Sequence, residues 1–170
     1  MDHFPLMARF NAWVNERLYD CVATLAEADY RAAKGLFFGS IHNTLNHLLL
    51  VDRLWTTRAQ GVDPGIHALD EILFPDLASL RMGRGEEDRK IIALMDRLSP
   101  ADLMATRRYW LVDRSRQMEA RVWDMLAGMF NHETHHRGQI TALLLQRGMK
   151  VPDIDLIYYL VESGQARFVD

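Results

Sequence analysis

The chain has 170 residues and a formal net charge of −3 with histidine neutral; 49% of its residues are hydrophobic and 25% are charged. These values are typical of one globular domain, expected here over residues 1–170, that buries its own core. The distribution of charged and apolar residues argues against nucleic acid and membrane as partners. No basic patch stands out for nucleic acid, and no apolar run approaches the roughly 20 residues of a membrane span.

Cys21 is the single cysteine, which excludes a disulfide within the chain. The N-terminal residues lack the charged and apolar regions of a signal peptide. Together these features predict a cytoplasmic location. Cys21 itself continues the apolar stripe of the first predicted helix, so we expect a small buried hydrophobic residue there.

Hydrophobic periodicity predicts four long amphipathic helices and a short last helix. Ser40 and Asp76 are suited to cap the second and third helices, and Pro100 is suited to stop the third. Such a set of helices indicates an all-α helical bundle. The predicted ranges are 6–27, 40–60, 76–98, 119–148 and about 153–161.

Two stretches depart from regular helix. The third helix contains Gly83 and Gly85 within a run of charged residues, so we expect it to bend or fray there. Residues 106–112 are strand-like in composition, and residues 114–116 are expected to form a second short extended piece. These residues predict a short extended excursion between the third and fourth long helices.

Three histidines fall within five residues of the fourth long helix, at positions 132, 135 and 136. His132 and His136 are four residues apart, which places them on one face of a helix. Met129 and Ile140 continue that face, so the pair is expected to point toward the apolar side. Two inward imidazoles at this spacing can bind one metal ion.

His47 is the candidate third ligand, because it lies in the most apolar part of the second helix. A lone histidine on an apolar face is more often an ordinary core residue, and three core histidines without metal remain the alternative. An inward pair on a neighbouring helix favours a site made of His47, His132 and His136. Three protein ligands leave a coordination position open, as in catalytic metal sites.

His132, Glu133 and His136 also satisfy the pattern H-E-x-x-H. In zinc peptidases the two histidines of this pattern bind zinc and the glutamate is the general base. Glu162 would then be a possible third ligand. Such peptidases hold substrate along a sheet edge, and this chain offers almost no strand, which disfavours a peptidase.

Four stretches of the chain resemble the DinB/YfiT-like family of metal-dependent helical-bundle proteins. They are residues 10–19, 47–55, 131–139 and 155–160. The third stretch, Asn-His-Glu-Thr-His-His-Arg-Gly-Gln, carries the most specific part of the resemblance, although Gln is more usual in the family where Glu133 stands here. The resemblance implies an up-down-down-up four-helix bundle, commonly a homodimer, with a divalent metal held by His47, His132 and His136.

The resemblance also implies a function. Relatives of the family include S-transferases and isomerases that use low-molecular-weight thiols, so we expect a metal-dependent enzyme that acts on a small molecule. Metal-assisted hydrolysis with Glu133, and a stress-response bundle without catalysis, are the alternatives. Three imidazoles suit zinc, nickel, copper or iron. Roles for Asp52, His135 and Arg137 are left open by the sequence.

Overall fold

The computed structural model describes residues 3–169, which form seven helices and one two-stranded antiparallel sheet. Four helices are long and three are short. In chain order the elements are α1 (His3–Val22), α2 (Glu27–Arg31), α3 (Ile41–Ala59), α4 (Leu77–Arg97), α5 (Pro100–Met104), β1 (Thr106–Trp110), β2 (Gln117–Arg121), α6 (Val122–Gln146) and α7 (Leu156–Glu162).

The predicted all-α bundle is confirmed, and α1, α3, α4 and α6 are its four long helices. Helices α1 and α4 are antiparallel, because Arg9 near the start of α1 pairs with Asp96 near the end of α4. At the opposite end of the bundle, Asp20 of α1 pairs with Arg81 of α4. Helices α3 and α4 run in the same direction, so the long connection over residues 60–76 leads from the end of α3 back to the end of the bundle where α3 begins.

Helices α3 and α4 are parallel to each other. Asp52 pairs with Arg84, and Gln60 just after α3 accepts a hydrogen bond from Arg97 at the end of α4. From the first contact to the second, the residue numbers rise along both helices. The bundle therefore runs up, down and down through its first three long helices.

Helix α6 completes the up-down-down-up order, as the packing of the core shows. Leu45 near the start of α3 packs in one apolar cluster with Leu144 near the end of α6. Ala59 at the end of α3 packs in a second cluster with Val122, the first residue of α6. Helices α3 and α6 are therefore antiparallel, and the two clusters occupy opposite ends of the bundle.

Between the apolar clusters lies a group of five buried charged residues, here called the central ionic cluster: Asp52, Arg84, Asp88, Glu133 and Arg137. The guanidinium of Arg84 lies 2.8 Å from the carboxylate of Asp52 and 2.9 Å from that of Asp88. Nε of Arg137 lies 3.6 Å from Glu133. Helices α3, α4 and α6 all contribute to this cluster.

Helix α1 joins the central ionic cluster through a neutral side chain. The amide of buried Asn15 donates a 3.0 Å hydrogen bond to the Asp88 carboxylate. Burial raises the pKa of Asp52 well above its ordinary value, and the nearby Glu133 raises it further. Burial likewise raises the pKa of Asp88. All four long helices therefore meet at one set of buried polar groups.

The caps predicted at Ser40 and Asp76 are confirmed, since each side chain accepts a hydrogen bond from the backbone N–H three residues later. The fraying predicted at Gly83 and Gly85 is wrong, because α4 is continuous from Leu77 to Arg97. Gly83 is buried and leaves room for the ring of Phe74, which would lie 2.5 Å from a Cβ at this position. Arg84, Glu87 and Asp88 of the following charged run are buried, whereas Glu86 is exposed.

Other parts of the chain also differ from the prediction. The fourth long helix, predicted over 119–148, is α6 and begins at Val122, because residues 119–121 belong to β2. The first helix ends at Val22, where a turn redirects the chain into α2 so that Tyr30 reaches the core. Residues 114–116 are not extended; Arg114 adopts a positive φ of 59° in the turn between the strands, and the second strand is β2. Helix α5 was not predicted; its capping box joins Ser99 and Asp102. Cys21 is half-buried, not buried.

We predict that Arg84→Met lowers the free energy of unfolding by about 3–5 kcal/mol, because it leaves two buried carboxylates without their guanidinium. Urea denaturation at neutral pH measures this change. Arg81→Met is the matched control, since its ion pair with Asp20 is largely exposed and its loss should change stability by less than about 1 kcal/mol. Equal effects of the two substitutions would contradict the structural importance of the cluster.

Candidate metal centre

Helices α3 and α6 bring the three predicted histidines together in the structure. His47 and His136 are buried, and His132 is half-buried. One ring nitrogen from each residue lies within 4.8 Å of one ring nitrogen of the other two. The Nε2 atoms of His47 and His132 lie 3.0 Å apart. We call these residues the histidine triad.

The spacing of the triad fits a shared metal ion. Imidazole nitrogens bind zinc and similar ions at about 2.0–2.1 Å, so two ligands of one ion lie roughly 3–3.4 Å apart. The observed separation of 3.0 Å between the Nε2 atoms of His47 and His132 agrees with that range. The triad could therefore hold a metal ion.

Hydrogen bonds to the opposite ring nitrogens orient two of the imidazoles. Nδ1 of His47 donates to the carbonyl oxygen of Leu69 at 2.7 Å, and Nδ1 of His136 donates to Oε1 of Gln139 at 2.9 Å. Because a carbonyl oxygen only accepts, each Nδ1 carries the proton and each Nε2 has a free lone pair. Such contacts orient metal ligands and raise their basicity. Nδ1 of His132 is buried without a partner in residues 3–169.

The triad is held in its neutral form by its surroundings. Burial lowers the pKa of His47 to about 4, and burial with the neighbouring His136 lowers the pKa of His132 to about 4. Burial also lowers the pKa of His136. Only a neutral imidazole can bind a metal. The lowered pKa values therefore favour the neutral form of all three imidazoles, the form that can bind a metal.

Residues flanking the triad have other roles. Glu133 is fully buried and faces the central ionic cluster, where Arg137 is its partner, so it is not available to a water molecule at the triad. Asp52 pairs with Arg84 and does not orient a histidine. His135 is exposed and contacts Gln139.

Glu162, the third ligand of the peptidase alternative, lies elsewhere. Its carboxylate accepts hydrogen bonds from Trp13 and Arg17, at the contact between α7 and α1. It does not belong to the group of residues that could share one ion with His132 and His136. The H-E-x-x-H pattern is therefore not completed in the way a zinc peptidase would need.

The sequence profile of the DinB family matches residues 1–166, which is nearly the whole chain. The chain belongs to the DinB family. It is also similar to Protein DinB of Bacillus subtilis (strain 168), with 26% identity over 163 residues, covering 89% of this chain and 90% of that relative.

None of the helices within residues 3–169 of this DinB-family chain is both long and apolar enough to cross a membrane.

A cavity of about 610 Å³ opens beside the triad of this DinB-family chain. It is lined by His47 and His132 and, further along α3, by Val51, Leu54 and Trp55. Residues 67–69 and the hairpin of β1 and β2 complete the lining. Its volume is in the range of sites that take small organic molecules.

Several residues at the site have no signal in the sequence. Phe38 stacks on His47 with 3.7 Å between ring centroids, and Leu69 acts through its backbone carbonyl. Both lie in irregular segments whose path the periodicity does not define. Gln139 is different, because it falls in the same helical stretch as the histidine pair.

We predict that His47 and His132 lower the stability of the metal-free chain as the pH falls from about 6.5 to 4. Histidines of the unfolded chain bind protons near pH 6.5, whereas His47 and His132 of the folded chain stay neutral to about pH 4. At these two sites the unfolded state therefore binds more protons in this window, which lowers the free energy of unfolding. The raised pKa values of Asp52 and Asp88 act in the opposite direction. Urea denaturation at a series of pH values measures the free energy of unfolding.

The double variant His47→Gln/His132→Gln isolates this contribution, since the buried carboxylates titrate in both proteins. Its stability should fall less steeply over the same pH window. The exposed His3 provides the control, because His3→Gln should keep the wild-type slope. The same slope in the double variant and the wild type would refute the lowered pKa values.

Proposed function

We propose that this chain binds one divalent metal ion through His47, His132 and His136 and acts on a small molecule in the adjoining cavity. The observation that carries the proposal is the position of the triad at the end of a cavity of about 610 Å³. A purely structural metal site is usually closed by a fourth protein ligand. The three histidines are the whole group of candidate ligands found here within residues 3–169.

Groups around the triad orient its imidazoles and keep them neutral. Leu69 and Gln139 hold two imidazoles with Nε2 free, and burial keeps all three rings neutral. Three imidazoles suit zinc, nickel or iron. A bound ion of this kind supplies a positive charge that lowers the pKa of a coordinated thiol or water.

Family membership supports a thiol as the nucleophile, because the resemblance described above includes thiol-dependent S-transferases. In such a transfer the thiol loses its proton to solvent, its sulfur forms a bond to an electrophilic carbon, and the leaving group departs with its electron pair. The apolar walls formed by Val51 and Leu54 keep water away from that carbon. The homodimer and the cytoplasmic location stay predictions.

We predict about one metal ion per chain in the purified protein, measured by elemental analysis after dialysis. His47→Ala and His132→Ala should each lose most of the metal, because either substitution leaves two of three ligands. His3→Ala, at an exposed histidine of α1, is the control and should keep it. Full metal content in His47→Ala would remove His47 from the proposed site.

Gln139→Leu tests the orienting contact separately from the ligands. The substitution removes the acceptor for Nδ1 of His136 and keeps the imidazole itself. We expect metal affinity to fall about 10–100-fold, as measured by competition with a chelator of known affinity. Unchanged affinity would mean that Gln139 does not position His136 for binding.

We predict that the metal-loaded protein consumes a low-molecular-weight thiol in the presence of an activated alkyl halide. Glutathione, mycothiol and bacillithiol are compared by the loss of free thiol, with His132→Ala as the inactive control. Glu133→Gln should keep its turnover here, whereas metal-assisted hydrolysis with Glu133 as base requires its loss. A metal-loaded protein that turns over none of the three thiols would contradict S-transfer and favour a binding role.

A further inference from the structure

The cavity beside the triad is apolar along most of its length but contains one buried cation. Arg58 lies on its wall with 6% of its surface exposed. It follows His47 by eleven residues, about three helical turns, so the two lie on the same face of α3 with about 16 Å between them along the helix axis. Val51 and Leu54 lie between them on that face.

The Arg58 guanidinium has few partners. It lies 4.6 Å from the ring centroid of Tyr109 and 5.3 Å from that of Trp55, and Nη2 donates to the carbonyl oxygen of Trp110. Nε is buried without a hydrogen-bond partner in residues 3–169. A guanidinium has five N–H donors, so most of its donor capacity is unused.

No carboxylate within residues 3–169 forms an ion pair with Arg58. Asp63, an acidic residue near it, accepts two hydrogen bonds from Arg114, at 2.7 and 3.1 Å. Asp113 lines the cavity, but it is exposed and accepts two hydrogen bonds from Ser115. His67, also exposed, is the other titratable residue of the lining besides Tyr109 and the histidines of the triad.

An unpaired charge away from water is unfavourable unless an anion joins it. The planar fork of a guanidinium matches the two oxygens of a carboxylate. A single cation among apolar side chains is suited to one negative charge, and a doubly charged phosphate would leave the second charge unpaired. The rest of the cavity offers apolar surface to the body of the ligand.

We propose that the cavity binds an elongated monocarboxylate with an apolar body, its carboxylate on Arg58 and its other end at the histidine triad. That this ligand is the substrate rests on the proposed function. The anion site itself depends on Arg58 and the cavity walls. Arg58 is thus a residue that determines which small molecules enter.

The test measures the preference for a charged ligand over a neutral one of the same shape. Straight-chain carboxylates of increasing length, each with a terminal phenyl ring, are compared with the matching alcohols by isothermal titration calorimetry. Metal-free protein is used first, because a carboxylate can also bind a metal ion directly. At least one carboxylate should bind the wild type about tenfold more tightly than its alcohol, as a charged hydrogen bond implies.

Arg58→Met should abolish that preference, and Arg58→Lys, which keeps the charge without the planar fork, should retain part of it. Arg53→Met is the matched control, because Arg53 lies on the same helix but pairs with Glu87 outside the cavity; it should keep the full preference. A preference that survives in Arg58→Met overturns the proposal. If Arg58→Met does not unfold cooperatively, the variant is not folded and the wild type alone decides. A wild type that binds no carboxylate more tightly than its matching alcohol then overturns the proposal.

Metal content separates this proposal from the proposed function. Stoichiometric metal in a protein that shows no carboxylate preference overturns the anion site alone. A preference that depends on Arg58 in a protein that binds no metal supports the anion site and contradicts the proposed function. Repeating the titrations with zinc-loaded protein should leave the difference between wild type and Arg58→Met in place.

Discussion

The burial of five charges at the centre of the bundle is the constraint on which the rest of the structure depends. Ions taken out of water are stabilised only when their partners are correctly placed. Because Arg84 has to meet carboxylates from two helices, a small slip of α3 against α4 would leave a buried charge unpaired. Asn15 extends the same requirement to α1. The apolar clusters at both ends stabilise the bundle, but contacts between apolar side chains tolerate a shift of one helix along another more readily than ion pairs do.

The same helices that supply these charges also supply the histidines. Asp52 follows His47 by five residues on α3, and Glu133 directly follows His132 on α6. The apolar packing of α3 against α6 at both ends of the bundle sets the register of these two helices, and with it the distance between the Nε2 atoms of the triad. Rigid helices hold ligands more accurately than loops. The two loop contacts of His47, its hydrogen bond to the Leu69 carbonyl and its stacking on Phe38, orient a ring whose backbone is already placed.

Much of this arrangement follows from sequence patterns, and the exceptions have physical causes. The i, i+4 spacing of His132 and His136 and the caps at Ser40 and Asp76 are local features, and local features are readable. The central ionic cluster is not local. In the sequence Arg84 and Asp88 resemble part of a solvated charged run after Gly83, and only the packing of α4 against α1 and α3 buries these two side chains. The backbone carbonyl of Leu69 leaves no signal in the sequence, because every residue has a backbone carbonyl.

The hairpin of β1 and β2 packs against the end of α3 and leads directly into α6. Its backbone accepts from Arg58, and the Tyr109 ring packs edge-on against Trp55. Tyr109 and Met118, which face each other across the strands, line the cavity, yet neither belongs to the histidine triad or to the central ionic cluster. Sequence variation at Tyr109 or Met118 would therefore reshape the cavity while leaving the three histidines and the central ionic cluster in place.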